Sequence, residues 1–172
     1  PTARLQGRVL LPTGEPAPVK YIQAGGKGSY VDPSDGSYLI THIPDGDHKI
    51  YLGKGHWSDY GYEAEDTGKW RAHLNLSSAE TVTIDGTVDM DFFVPFTEHD
   101  FTFTDQNGDP LNGNHRFYHR NYTVEPFTTQ GLTFSGKAYA DVYLGTDNAL
   151  TGLALPPKEG TQVRQDLYPV NG

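Results

Sequence analysis

Asp35-Gly36-Ser37-Tyr38-Leu39-Ile40-Thr41-His42-Ile43-Pro44-Asp45-Gly46-Asp47-His48-Lys49-Ile50-Tyr51-Leu52-Gly53 is the stretch whose reading decides the fold. Two runs, 37–42 and 47–53, carry the aromatic and branched residues that suit a pleated, half-buried surface. Between them Pro44-Asp45-Gly46-Asp47 supplies the residues of a chain reversal, as do Thr13-Gly14-Glu15-Pro16 and Asp32-Pro33-Ser34-Asp35-Gly36 upstream. Gly (20) and Pro (12) are so frequent among the 172 residues that they interrupt nearly every stretch before a long helix could run. The expected class is therefore all-β. Strands are expected over 4–11, 18–24, 28–32, 37–42, 47–53, 69–76 and 80–94, the last broken at Asp85-Gly86. Further on they are expected over 99–104, 114–119, 121–126, 131–135, 138–144, 148–154 and 161–168.

A spacing of turn signals of about eight to twelve residues is the mark of a small β-sandwich. Self-similarity suggests two of them. Gly14-Glu15-Pro16 after an apolar run is matched by Gly108-Asp109-Pro110, 94 residues later. Gly36-Ser37-Tyr38-Leu39-Ile40 is matched by Gly131-Leu132-Thr133-Phe134, and Lys49-Ile50-Tyr51-Leu52-Gly53 by Asp141-Val142-Tyr143-Leu144-Gly145. Matches in one order argue for two copies of a unit. The expectation is two tandem Greek-key β-sandwich domains of about seven strands each, residues 1–96 and 97–172, divided near Pro95-Phe96-Thr97-Glu98.

The run Gly7-x-Val9, Gly14-x-Pro16, Asp35-Gly36-Ser37-Tyr38-Leu39-Ile40 and Ile43-Pro44-Asp45-Gly46 resembles the carboxypeptidase regulatory-like, or prealbumin-like (transthyretin-like), domain family. The B-type repeats of bacterial surface adhesins share this pattern. The resemblance covers about residues 4–53 and weakens in the second half, where Gly108-Asp109-Pro110 and the run ending at Gly145 carry it. It implies a seven-stranded Greek-key sandwich, used as a module of exported or surface proteins, and does not imply catalysis. Adhesin repeats often carry an isopeptide bond from a first-strand Lys. Here the first strand has Arg4 and Arg8 instead, so no such bond is expected.

Charge narrows the partners. Thirteen basic and 22 acidic residues leave a net charge of −9, a field that repels polyphosphate, so no nucleic-acid partner is expected. No run approaches the roughly 18 apolar residues that cross a bilayer; the densest patch is Phe92-Phe93-Val94-Pro95-Phe96. With no cysteine, disulfides, thiolate catalysis and Cys-based zinc sites are excluded together.

Four constellations are candidates for chemistry. His115 and His119 with Tyr118 and Tyr122 have the composition of a Tyr/His iron site. Residues four apart share a strand face, which sets the two histidines apart from Tyr118 and Tyr122, so a structural role outweighs a metal role. Asp105, Asn107 and Asp109 alternate as in a calcium loop, but Pro110 and Arg116 occupy the places an EF-hand gives to Gly and Glu, and a hairpin turn is the simpler reading. Asp32, Asp35, Asp45 and Asp47 sit on neighbouring turns, where calcium could bridge loops; no other cofactor is expected. The long segment 55–70 holds both tryptophans, and Trp57, Tyr60, Tyr62 and Trp70 could stack on sugar rings, against the plainer reading that they cover the end of a thin sandwich. Asn75-Leu76-Ser77 and Asn121-Tyr122-Thr123 are glycosylation sequons in an exported chain. No nucleophile elbow, metalloprotease pair or phosphate loop occurs.

The expectation is a non-enzymatic extracellular or cell-surface structural protein. Its partners would be copies of itself or neighbouring domains, joined into filaments by β-strand addition. The segments Thr2–Val9 and Thr161–Tyr168 alternate well enough to be the added strands. The rival expectation is a carbohydrate-binding module that meets glycans through residues 55–70.

Overall fold

A computed structural model of the chain describes residues 2–53, 73–102, 104–109, 115–144, 149–155 and 168–169. Among these the protein is all-β, without a helix. The first half supplies β1 (Thr2–Leu10), β2 (Tyr21–Ala24), β3 (Lys27–Tyr30), β4 (Ser37–Pro44), β5 (Gly46–His48) and β6 (Ile50–Leu52). Then come β7 (His73–Ser78), β8 (Val82–Ile84), β9 (Thr87–Asp89) and β10 (Phe92–Phe93). Beyond residue 96 lie β11 (Thr97–Thr102), β12 (His115–Thr129), β13 (Leu132–Leu144), β14 (Ala149–Leu155) and β15 (Tyr168–Pro169).

The stretch from Asp35 to Gly53 forms β4, β5 and β6, but the run expected as one strand over 47–53 divides at Lys49: β5 pairs with β8 whereas β6 joins β2 and β7, and Asp45 is a bend between strands that do not pair with each other. β4 shows how one irregular residue sets the faces. Tyr38 and Ile40 point inward with period two, and strict alternation would then bury His42. Instead Thr41 and His42 together oppose Arg4 of β1, His42 takes a φ of 59°, and Ile43 returns to the core. A β-bulge thus trades one ladder position for an apolar residue on the buried side.

β1 is the axis of the first sheet. It pairs antiparallel with β4 along one edge and parallel with β9 and β10 along the other. The parallel side is reinforced by Met90 N–H donating to the Gln6 carbonyl (2.9 Å), Val94 N–H to the Leu10 carbonyl (2.8 Å) and Arg8 N–H to the Asp91 carboxylate (2.8 Å). The segment Thr2–Val9, expected to be free for addition to a neighbour, therefore has both edges occupied by its own chain. Of the other expected donor, residues 161–167 lie outside the described residues, and Tyr168 pairs with Arg116.

The second sheet has seven strands in the order β15-β12-β13-β7-β6-β2-β3. Two pairs, β5 with β8 and β11 with β14, complete the set. Leu5, Val9, Ile40 and Ile43 of the first sheet and Ile22, Ile50, Leu52, Leu74 and Leu76 of the second belong to one continuous buried cluster, the arrangement of a sandwich.

Strands from both sides of the division expected at residue 96 share the second sheet. β13 pairs antiparallel with β7, from Phe134 opposite Ser78 to Tyr139 opposite His73. Phe134 is fully buried, edge-on to Phe92 with ring centres 5.7 Å apart and stacked on Phe127. Ala79 N–H donates to the Thr133 carbonyl (2.7 Å), and Phe93 N–H donates to the hydroxyl of the buried Thr129 (3.1 Å). Gly136 permits the seam: a Cβ there would stand 2.0 Å from the carbonyl oxygen of Asn75, a distance no side chain tolerates.

The expected strands 114–119 and 121–126 are one strand, and so are 131–135 and 138–144. The interruptions are register shifts, between His119 and Tyr122 and between Val124 and Phe127. Pro126, which has no N–H to give a ladder, falls in the second shift. Replacing Phe134 by Ala removes a fully buried ring from this seam and should cost about 3–5 kcal/mol. Urea denaturation of the variant checks this, and a loss below about 1 kcal/mol would contradict the central place given to the ring.

Candidate functional site

The corner where β3 turns into β4 carries an open groove of about 550 Å³. Its floor comes from Val31 and Tyr38, its rims from Gln6, Tyr30, Asp32 and Leu39. Tyr30 (56% exposed) and Leu39 (47%) are two of the three large apolar side chains that the described surface leaves most open. Tyr30 is held edge-on by Tyr21, ring centres 5.4 Å apart. The Gln6 amide is engaged too, donating to Asp89 (2.8 Å).

The turn beneath the groove is built from its own acids. Asp32 N–H donates to the Ser37 carbonyl and Gly36 N–H to the Asp32 carbonyl, both at 2.8 Å. The Asp32 carboxylate accepts from the amide (2.8 Å) and hydroxyl (2.6 Å) of Ser34, and Asp35 accepts from the Ser37 amide (2.8 Å). Hydrogen bonds from Ser37, the side chain first and then the backbone, hold the Asp35 carboxyl below its usual range, with Arg8 adding attraction. Each of these two carboxylates is tied into the turn through one of its oxygens.

Asp45 and Asp47 lie beyond the other end of β4. Eight residues of strand, at about 3.3 Å each, put roughly 25 Å between the two pairs. No single ion bridges that distance. Asp47 also accepts from the Thr83 hydroxyl (2.6 Å), tying β5 to β8. Asp105, Asn107 and Asp109 do come together, but as a turn: the Asp105 carboxylate accepts from the amides of Asn107 (2.8 Å) and Asp109 (3.0 Å). Among the described residues no three His, Asp or Glu side chains converge.

Trp57, Tyr60, Tyr62 and Trp70 lie outside the described residues. Asn75 is exposed on β7, opposite Lys137, while Asn121 falls at the first register shift of β12. His115 and His119 stand in unbroken register on that strand, opposite Leu144 and Ala140. His42 and His48 bond locally, His42 Nδ1 with the Thr41 hydroxyl (2.9 Å) and His48 Nε2 with the Pro44 carbonyl (2.6 Å).

Two polar contacts in this region have no sequence signal. Tyr38 is buried and donates its hydroxyl to the Met90 carbonyl (2.7 Å), tying β4 across β1 to the parallel strands. Burial first, then the charges of Asp91 and Asp89, push its ionisation far above the ordinary tyrosine range. Glu80 accepts from the Thr133 amide at the seam, and that bond holds its carboxyl below the usual range. Each joins residues more than fifty positions apart, so no local pattern announces it.

No protein-family model, no curated protein and no solved structure matches this chain.

Two outcomes follow for this region. Millimolar calcium should leave the thermal midpoint unchanged, because the candidate acids are separated or already bonded; a rise of several degrees would restore a metal site. The contribution of Glu80 is full above the unfolded carboxyl value near 4.5 and fades as pH falls through its lower folded value. Glu80→Gln should therefore flatten the acid limb of a stability-against-pH curve, and an unaltered limb would exclude the contact.

Proposed function

We propose that the chain is a non-enzymatic structural protein of the cell surface or extracellular space, and that it assembles by adding strands between subunits. The observation that carries this reading is the seam between β7 and β13. There the chain already completes the sheet of one segment with a hairpin from another, through backbone hydrogen bonds and one aromatic anchor. Strand addition between subunits uses the same two elements, a ladder for affinity and side-chain anchors for register.

The acceptor in this proposal is β3, the last strand of the seven-stranded sheet. It is short, and the groove bearing Tyr30 and Leu39 lies beside it, so an incoming extended segment meets both a strand edge and two apolar anchors. Occupied β1 turns the expectation away from the amino-terminal strand and toward this edge. A head-to-tail contact whose rotation does not close on itself yields filaments, the form proposed for this chain. The two sequons and the family resemblance are the grounds for placing it outside the cell.

Light scattering and negative-stain microscopy of the purified chain at rising concentration test the proposal. Growing assemblies are expected, and Tyr30→Lys, which puts a charge on the acceptor edge, should shift the onset to at least about tenfold higher concentration. A strictly monomeric protein at every concentration, or assemblies indifferent to Tyr30→Lys, would overturn it.

A further inference from the structure

The strands described beyond residue 96 repeat the order and pairing of β1, β2, β3, β4 and β6; β5, which pairs with β8, has no counterpart among the described residues. β1 pairs antiparallel with β4, and β11 with β14. β2 lies between β3 and β6, antiparallel to both, and β12 lies between β13 and β15 in the same way. Chain order is kept: β1, β2, β3, β4, β6 against β11, β12, β13, β14, β15.

Two local irregularities recur inside that order. In β1–β4 the single residue Arg4 opposes Thr41 and His42; in β11–β14 the single residue Asp100 opposes Thr151 and Gly152. After each first strand comes the same turn. Leu11 N–H donates to the Glu15 carbonyl (2.7 Å), Gly14 N–H donates to the Leu11 carbonyl (2.9 Å), and Gly14 has a φ of 88°. Asp105 N–H donates to the Asp109 carbonyl (2.8 Å), Gly108 N–H donates to the Asp105 carbonyl (3.1 Å), and Gly108 has a φ of 86°. The offset is 96 residues at the bulge and 94 at the turn. An even difference leaves the pleat of the two strands in phase.

The equivalence is not the one that sequence similarity suggested past the turn. Gly131 and Gly145 flank β13, whereas the partner of β11, and hence the counterpart of β4, is β14. What displaced the alignment is length. β2 and β3 have four residues each; β12 and β13 have fifteen and thirteen.

We infer that strands β11–β15 repeat the strand unit made by β1–β4 and β6, and that the repeat's first hairpin has been lengthened into an arm whose docking partner is the edge of β7, the strand that follows the first unit and pairs with its β6. The base of the arm, residues 115–119 with 140–144, does what β2–β3 does and holds β15 at His115 and Arg116. Its outer portion, 123–138, has no counterpart in the first unit, and it is this portion that places Phe134 and Ala138 in the first unit's core. The arm carries its own anchor, a backbone edge and a fitted glycine, Gly136, so the surface it fits is defined residue by residue. Strand order and register alone lead to this reading, which stands whether or not the protein assembles.

Hydrogen exchange on the full chain and on a variant lacking 121–138, closed with Asn-Gly between Arg120 and Tyr139, tests it. In the variant, amides of β11 and β14 should keep their protection, while those of β7 exchange faster by at least on the order of tenfold. Loss of protection in β11–β14 together with β7 would make the hairpin a piece of one indivisible fold and overturn the inference. A second measurement needs no deletion. The chain has no cysteine, so Asn75→Cys with Lys137→Cys gives a single clean pair across the seam. Oxidation should cross-link these within one chain; a product that forms only between chains, or none, would remove the docked arm.

Discussion

The structure depends on closing one strand edge. Without β13, β7 would present a row of unpaired amides and carbonyls above the apolar side chains of Leu74 and Leu76, and an open edge of that kind pairs with whatever reaches it. The hairpin answers both needs at once. Its backbone completes the ladder, and Phe134 closes the core against Phe92, which itself sits on β1 through the parallel pairing of β10. Tyr38 stacks on the other side of Phe92, at 6.2 Å between ring centres, and bonds to Met90. A chain of three aromatic rings therefore links the arm, the parallel strands and β4. That chain explains why one buried ring far along the sequence bears on strands near its start.

Most of the first fifty residues was legible because their signals are local. Alternation and Asp-Gly turns act within a few residues, and β1, β4 and the break at Asp85-Gly86 fall where those signals put them, whereas the run 47–53 divides between two sheets because its partners β8, β2 and β7 lie elsewhere in the chain. The long hairpin was not legible, for a physical reason. Polar residues and Pro126 inside β12 look like the end of a strand, yet a bulge absorbs each of them without ending the pairing. Whether a strand survives such a residue is decided by its partner strand, which lies elsewhere in the chain. The repeat was half visible for the same reason: its first turn keeps the local chemistry, whereas its strands keep only the pairing.

The site was less legible than the fold. Acids on neighbouring turns looked like one constellation because the sequence hides the length of β4 between them. Once that strand is in place the acids separate into two pairs, Asp32 and Asp35 bonding within their own turn and Asp47 bonding to Thr83 of β8. The groove at Tyr30 and Leu39 leaves no mark in the sequence because neither residue is unusual by itself. Only the corner between two strands makes them adjacent.

The mixed pairing of β1 has a mechanical consequence. Thr2 leads into β1 at one end of the sheet, and the parallel run through β9 and β10 leaves toward Phe96 at the opposite end. Tension applied to the chain across residues 2–96 therefore pulls these strands past each other along their length. All the hydrogen bonds between them are loaded together and must give way together, unlike those of an antiparallel hairpin pulled at its open end, which break in succession. The amino-terminal segment is in this sense a clamp, strongest along the line in which a tethered chain would be stretched.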